Sequence, residues 1–431
     1  MLKLAVIADD LTGANDAGVQ FAKQGLTVQV FLGDLAEKQE GAPPDVMVLD
    51  TDSRAASSEQ AYERVRNAGR IVRSITSSRP LVFKKIDSTL RGNLGAEIDA
   101  AMEEFGFEWA AVVPAFPVNG RITVGGWHLL HQVPIAESEI ARDPKTPVTE
   151  SVLPDLLASQ SHHPVGHVYL TDVSRGVDAV LQRITGLRRH GSRIISFDAS
   201  TGTHLRTIAT AIATAEGGLW VGSAGLAEMI PASMGWSQAE KTVEPGGPGP
   251  VLVVAGSVSN ITARQMNQFL SQENCRLVSL QADSLIVNKT EEIRRCVQEA
   301  SEWLKSGQDV LLASAVDVDA VVNARSAGAS QGVDSRQVSE IVAESMGLVV
   351  KQLVSLQPAG IFLTGGDTAV SVCRALGVNS IDILAEVLPG IPLGQLVGGC
   401  CPGLRVVTKA GAFGGENAII EAVKVLKGRK G

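Results

Sequence analysis

The chain has 431 residues, of which 45% are hydrophobic and 19% are charged, and its formal net charge is −8 at pH 7. This composition excludes a wholly disordered chain, and the length favours two domains. An acidic chain with only 4% aromatic residues also lacks the basic face and stacking platforms of a nucleic-acid-binding protein.

Short apolar runs alternate with helix-like segments through the first half of the chain. The runs predict strands at Leu4–Ala8, Val28–Leu32, Val46–Leu49, Leu81–Phe83 and Trp109–Val113. Alternating strands and helices build mostly parallel sheets flanked by helices. We therefore expect an α/β fold.

Charged residues follow several of these strands, at the edge of the sheet where open α/β sheets bind ligands. The cations are Arg54, Lys84, Lys85 and Arg91, and they lie among Asp10, Asp52 and Asp87. Arginine and lysine bind carboxylates, and aspartate accepts hydrogen bonds from hydroxyl groups. The cluster therefore predicts a site for a small hydroxy acid, although a set of surface ion pairs is the alternative.

A stretch rich in proline and glycine, residues 236–250, separates this half from a second α/β pattern. We predict a first domain at 1–240, a linker at 241–250 and a second domain at 251–431. Further strands are expected at Val251–Val254, Val310–Ala313 and Gly360–Leu363.

Glycine-rich loops end three strands of the second domain. One holds Ser257, the next is Gly365-Gly366-Asp367-Thr368 before a helix at Ala369–Ala375, and the last includes Gly411. Glycines let phosphate approach the backbone, and a helix N-terminus offers free N–H groups. The alternative is a tight turn in which Asp367 or Thr368 caps the helix. No G-x-x-x-x-G-K-[ST] motif occurs, and no dinucleotide fingerprint follows the first strand.

Five cysteines without a CxxC spacing indicate free thiols in a reducing compartment, and we expect Cys400 and Cys401 to be buried as small apolar residues. No apolar run is long enough to cross a membrane, so we expect a cytoplasmic protein with no membrane partner. The histidines, including His162, His163 and His167, give no clear metal site, and the metal ligands stay unknown.

Six motifs together resemble the four-carbon acid sugar kinase family. They occupy residues 8–16, 84–93, 114–121, 222–226, 363–369 and 409–417. The resemblance implies an N-terminal sugar-acid-binding domain and a C-terminal ATP-binding domain, with the active site in the cleft between them. It also implies phosphorylation of the 4-hydroxyl of a tetronate. The 84–93 segment looks like the D-threonate and D-erythronate branches rather than the 3-oxo-tetronate branch.

The resemblance also implies where the ligands bind. Substrate contacts would fall on Asp10, Arg54, Lys85, Ile86, Asp87 and Ser88, and ATP contacts on Ser257, Gly365, Gly366, Asp367, Thr368 and Gly411. We expect ATP and Mg²⁺ as cofactors, D-threonate as substrate with D-erythronate and 3-oxo-tetronate as alternatives, and leave a homo-oligomer open.

As the catalytic base we choose Asp367, with Asp10 as its rival. A non-catalytic sugar-acid sensor and a nicotinamide-dependent dehydrogenase are the competing classes.

Overall fold

The structure is a computed structural model that describes residues 1–32, 42–76, 80–143, 145–236, 246–256, 259–314, 331–411 and 413–429. The chain divides into two units, Met1–Glu240 and Lys241–Gly431. The part of the predicted linker before residue 246 lies outside the described residues.

The first unit is organised around a parallel sheet. Its strands are β1 (Leu4–Ala8), β2 (Val28–Leu32), β3 (Val46–Asp50), β4 (Leu81–Lys85), β5 (Trp109–Val113), β6 (Arg121–Val124), β7 (Trp127–Leu130), β8 (Val133–Pro134), β9 (Val165–Val168), β10 (Ile194–Phe197) and β11 (Gly218–Gly222). The sheet runs β2-β3-β1-β4-β11-β5-β10-β9 with every described pairing parallel. Strands β6, β7 and β8 form a small antiparallel sheet.

Nine α-helices accompany this sheet among the described residues of the first unit. They are α1 (Leu11–Ala22), α2 (Ser58–Ile75), α3 (Leu94–Phe105), α4 (Leu153–Gln160), α5 (Leu170–Val173), α6 (Val177–Arg189), α7 (Gly202–Ala215), α8 (Ala224–Ala227) and α9 (Ile230–Ser233). Strands β1 and β5 are buried along their whole length. Strands buried on both faces read as continuous apolar runs, which is why the sequence predicted them well.

The second unit has its own mostly parallel sheet. Its strands are β12 (Val251–Ala255), β13 (Cys275–Ser279), β14 (Asp309–Ala313), β15 (Gly360–Thr364), β16 (Ser380–Leu388), β17 (Ile391–Val397) and β18 (Arg405–Lys409). The order is β13-β14-β12-β15-β18-β17-β16, and only the described pairings of β17 are antiparallel. Its described helices are α10 (Asn260–Leu270), α11 (Ala282–Lys305), α12 (Ser335–Leu353), α13 (Gly366–Leu376) and α14 (Ala418–Leu426).

The predicted fold class, two α/β regions with mostly parallel sheets and flanking helices, is confirmed. Two local predictions are wrong. Helix α13 begins at Gly366 rather than Ala369, so Asp367 and Thr368 lie in its first turn, and its N-cap Gly365 supplies no side-chain cap. Cys400 is exposed and Cys401 is half-buried, because they lie in the turn between β17 and β18 rather than in a core.

No helix in the described part of the chain is long and apolar enough to span a bilayer.

Candidate functional site

The first cluster of polar residues lies where three neighbouring strands of the first unit end. Ala8, the last residue of β1, is in register with Asp50 on β3 and with Lys85 on β4. Asp9 and Asp10 follow β1 directly. Because parallel strands end at the same edge, the side chains that follow them are brought together.

Arg54 is the centre of this cluster. Its Nε lies 2.7 Å from Asp9 Oδ2, and its Nη1 and Nη2 donate to the two carboxylate oxygens of Asp10 at 2.7 and 2.6 Å. The backbone fixes this geometry, since the Arg54 N–H donates to the carbonyl of Asp9 at 3.2 Å. The one positive charge of Arg54 therefore faces two carboxylates, and the charge of Lys85 also acts on the pKa of both.

Burial raises the pKa of Asp9, but Arg54, Lys84 and Lys85 together outweigh it and the pKa lies below its ordinary value. The pKa of Asp10 is instead raised, because burial together with Asp9 outweighs Arg54. Asp10 also accepts the Gly13 N–H at 2.8 Å and caps helix α1.

Lys85 makes no direct ion pair with a described residue, although its charge acts on Asp9 and Asp10 from a greater distance. Its buried ammonium donates to the carbonyl of Ile86 at 3.0 Å, and no carboxylate lies within 4.0 Å of it among the described residues. A lysine ammonium has three donors, so Lys85 retains the capacity to bind an anion. Gly13 creates the room, because a Cβ there would lie 2.6 Å from Asp10 Oδ1 and 2.8 Å from Lys85 Nζ.

Lys84 points to the other side of β4, as alternate residues of a strand must. Its fully buried ammonium lies 2.6 Å from Glu97 Oε2 on α3. Ser53 donates to the other oxygen of Glu97 at 2.7 Å. This buried pair belongs to the packing between strand and helix and leaves Lys85 as the site lysine.

Asp87 is held by Arg91 and Thr89. The Arg91 Nε donates to Asp87 Oδ2 at 2.7 Å, and Thr89 donates to the same oxygen. Burial would raise the pKa of Asp87, but Arg91 and Arg54 hold it well below its ordinary value. Ser88 is buried, and its carbonyl accepts from the neutral imidazole of His128 at 2.8 Å, with burial lowering the pKa of that histidine to about 4.

Asp50 and Asp52 differ sharply. Asp52 is exposed and lies 3.8 Å from Arg64, outside the buried cluster. Asp50 is buried and accepts the Asp52 N–H at 3.0 Å, and burial with Asp10 nearby raises the pKa of Asp50 to about 8. Asp50 is therefore a protonated carboxyl at neutral pH.

The second cluster lies at the strand ends of the second unit. Gly365, with φ of 102°, donates its N–H to the carbonyl of Lys409 at 3.1 Å, and α13 starts at the next residue. Thr368 is buried in the first turn, while Asp367 is exposed. Gly256 permits this close packing, because a Cβ there would lie 1.9 Å from Thr368 Oγ1. Free N–H groups of this helix start suit an anion.

Gly411 is bound tightly to the start of α10. Its carbonyl accepts from Ser259 Oγ at 2.8 Å, Thr262 Oγ1 at 3.0 Å and Lys409 Nζ at 3.0 Å. Ser259 also caps α10. Ser257, the remaining predicted residue of this loop set, lies outside the described residues.

The structure thus brings Asp10, Arg54, Lys85, Ile86, Asp87 and Ser88 to one edge of the first sheet, and Gly365, Gly366, Asp367, Thr368 and Gly411 to one edge of the second. Asp9, Asp50, His128 and Lys409 were not predicted as site residues. Asp9 could have been found, because it directly follows a buried strand; the roles of Asp50 and His128 depend on tertiary burial, which the sequence does not display.

The described residues include no group of three or more histidine, cysteine, aspartate or glutamate side chains that could hold a metal ion. A cavity of about 470 Å³ is lined by Gln281, Asn288 and Arg295 at the start of α11, and its lining includes none of the predicted site residues.

Comparisons with known proteins match both units. Residues 4–230 match the model of a sugar-binding N-terminal domain, and residues 252–419 match that of a nucleotide-binding C-terminal domain. A D-threonate kinase from Salmonella typhimurium is 36% identical over 98% of both chains. A D-erythronate kinase from Heliobacterium modesticaldum is 33% identical over 99% of this chain and 97% of its own.

A crystal structure from Salmonella typhimurium LT2 has the same fold. It superposes with a TM-score of 0.82 at 24% identity and covers 98% of this chain and 99% of its own.

The raised pKa of Asp50 predicts a pH-dependent stability. Asp50 stays protonated in the folded chain up to about pH 8 but ionises near pH 4 when the chain is unfolded. Its contribution to the free energy of unfolding is therefore lost as the pH rises between these values. The unfolding free energy of the wild type should fall relative to Asp50→Asn by up to about 1.4 kcal/mol per pH unit in this window. Denaturant unfolding of the wild type and of Asp50→Asn from pH 5 to 7.5 measures this difference.

The matched control is Asp178→Asn, at an exposed position in the first turn of α6. Its stability should run parallel to that of the wild type over the same pH range. Parallel curves for Asp50→Asn as well would contradict the burial of a protonated carboxyl.

Proposed function

The chain belongs to the four-carbon acid sugar kinase family, and from that premise we propose that it uses ATP to phosphorylate the 4-hydroxyl of D-threonate. The full-length similarity to a D-threonate kinase supports this substrate ahead of the others. D-Erythronate is the second candidate, because a D-erythronate kinase is almost as similar. 3-Oxo-tetronate is a third, disfavoured by the sequence of the 84–93 segment.

One observation carries the substrate assignment, namely the buried Lys85 ammonium without a carboxylate partner among the described residues. We propose that it binds the substrate carboxylate together with Arg54. Asp10 and Asp87 would accept hydrogen bonds from the hydroxyl groups, and the Ile86-Ser88 backbone would border the ligand. An anionic hydroxy acid suits this mixture of one cation without a direct carboxylate contact and several acceptors.

The strand-end loops of the second unit would bind ATP. Its phosphates would contact Gly365, Gly366, Asp367, Thr368 and Gly411, with Ser257 completing the set. The start of α13 supplies N–H groups for phosphate oxygens. The described residues offer no group of carboxylates that could enclose Mg²⁺. The ion fits this arrangement if phosphate oxygens and water supply most of its ligands, as is usual for Mg²⁺ at phosphate sites. When bound, it would neutralise phosphate charge.

In the reaction, the substrate 4-hydroxyl oxygen attacks the γ-phosphorus of ATP, the bond to the β-phosphate oxygen breaks, and the hydroxyl proton passes to a base. We propose Asp367 as that base, since its carboxylate is exposed in the first turn of α13. Asp10, the rival, has a raised pKa, but both of its carboxylate oxygens already accept hydrogen bonds from Arg54, and one of them also accepts the Gly13 N–H.

The proposed function is tested by ADP release from ATP and Mg²⁺ over a panel of D- and L-threonate, D- and L-erythronate and 3-oxo-tetronates. We expect D-threonate to give the highest kcat/KM. Turnover restricted to another tetronate would reassign the substrate. ATP binding without turnover across the panel would contradict the kinase, and sugar-acid binding without ATP binding would favour a sensor.

Loss of the Lys85 charge should weaken substrate binding selectively. We expect Lys85→Met to raise the KM for the tetronate by about 100-fold, the size of a lost charged hydrogen bond in a buried site, while ATP binding is retained. The control is Lys3→Met, which removes a lysine paired with Asp45 at the start of β1, at the opposite edge of the sheet. Equal KM values for both variants would argue against Lys85 as the carboxylate ligand.

The base is tested by the pair Asp367→Asn and Asp10→Asn. If Asp367 takes the proton, its amide variant should lose about 100-fold or more in kcat with ATP still bound. Asp10→Asn should then act mainly on the KM for the sugar acid. A near-normal kcat for Asp367→Asn with a collapsed kcat for Asp10→Asn would transfer the role to Asp10.

A further inference from the structure

Lys409 is the last residue of β18 and one of the largest fully buried side chains of the chain. Its Nζ donates to the carbonyls of Ala410 at 2.8 Å and Gly411 at 3.0 Å, and lies 3.5 Å from Thr262 Oγ1. No carboxylate lies within 4.0 Å of this ammonium among the described residues. A buried charge without a counter-ion is costly, so this one needs an explanation.

Among the described residues, the surroundings of Lys409 supply dipoles and no carboxylate in contact with its ammonium. Thr364 on β15 is in register with Lys409, and Thr262 and Gln265 face the same loop from α10. The charged residues of α10, α13 and the loop after β18 are all exposed, namely Arg264, Asp367, Arg374 and Glu416, and Arg405 at the start of β18 is half-buried. Burial lowers the pKa of Lys409 to about 7.

One further polar atom next to Lys409, Thr364 Oγ1 at the end of β15, is buried without a hydrogen-bond partner among the described residues. Its hydroxyl group can donate a hydrogen bond to an anion. Buried polar groups are nearly always satisfied, so an unsatisfied donor beside a cation without a counter-ion points to a missing ligand. That ligand should be anionic, because the local excess is positive.

We propose that Lys409 is a further residue of the nucleotide site, whose positive charge is balanced by the phosphates of the bound nucleotide and not by a protein carboxylate. It acts as a positioning residue. Its ammonium, Ser259 and Thr262 all donate hydrogen bonds to the Gly411 carbonyl. The positive charge of Lys409 therefore lies next to the loop that the phosphates would approach. The inference rests on the proposed function, since it takes the second unit to bind ATP.

The proposal has a consequence that a purely structural lysine would not have. In the free protein at pH 8, about nine-tenths of Lys409 would be neutral at a pKa of about 7. Phosphate binding favours the ammonium and raises its pKa, so nucleotide binding should take up close to one proton at this pH. Below about pH 6 the lysine is already charged, and this uptake should vanish.

The experiment is calorimetric titration of the full chain with ADP at pH 8 and pH 6, in buffers of different ionisation enthalpy. The wild type should take up close to one proton at pH 8. Lys409→Met, of similar length but neutral, should lose this uptake and bind ADP about 10-fold or more weakly, with the KM for the sugar acid unchanged. Lys427→Met, which removes a lysine 2.7 Å from Asp309 at the other end of the same sheet, should behave as the wild type.

Wild-type ADP binding without proton uptake at pH 8 would overturn the proposal, and this result needs no variant to fold. Unchanged affinity and uptake in Lys409→Met would overturn it too. Absence of any ADP or ATP binding by the wild type would instead overturn the nucleotide site itself, so the two failures are distinguishable.

Discussion

Strands of both parallel sheets are buried so completely that charged side chains concentrate at their ends, and this constraint determines where chemistry can occur. In β1, β5, β12 and β15 every residue is buried. Because parallel strands finish on one edge, residues far apart in sequence, such as Asp10 and Lys85, become neighbours there. Each unit places a buried lysine at the last position of a strand, Lys85 on β4 and Lys409 on β18, and each ammonium donates to the carbonyl of the next residue.

The cations at the first edge divide into those that form a direct ion pair and one, Lys85, that does not among the described residues. Arg54 is matched by Asp9 and Asp10, Arg91 by Asp87, and Lys84 by Glu97. Buried ion pairs of this kind hold their side chains in position more than they add to the free energy of unfolding. The remaining cation, Lys85, can then be specific for a ligand, because the neighbouring groups are fixed by their own partners and a bound anion does not need to reorganise them.

The sequence predicted β1 to β5 in the first sheet and β12, β14, β15 and β18 in the second, because these strands are continuous apolar runs bounded by glycine and charged residues. It did not predict β9, β10, β11 or β13, although β10 and β11 are buried along their whole length. It also predicted that Asp10, Arg54 and Lys85 would meet, since all three follow or end strands. It did not predict which ion pairs form. Lys84 and Lys85 are chemically alike, and only the packing of α3 shows which of the two faces Glu97.

Prediction from the sequence was weaker where local signals are weak or where tertiary burial decides the outcome. The hairpin of β16 and β17 was missed, because most of β16 is only half-buried and the mostly buried β17 is interrupted by Pro392 and Gly394. Helix α13 was predicted to start late, since glycine is a poor helix former and Gly366 was assigned to the loop. The protonated state of Asp50 and the unbalanced charge of Lys409 arise from desolvation by distant segments, which no local pattern records.

Gly13 carries a hydrogen atom at the point where any other residue would place a carbon between Asp10 and Lys85. The spacing between the Asp10 carboxylate and the Lys85 ammonium thus depends on the missing side chain of Gly13, in the first turn of α1. When homologous sequences are compared, the residue aligned with Gly13 indicates whether this spacing can be kept. A relative that keeps both charged residues but has a larger residue here must hold them differently, and should not inherit the same ligand assignment by similarity alone.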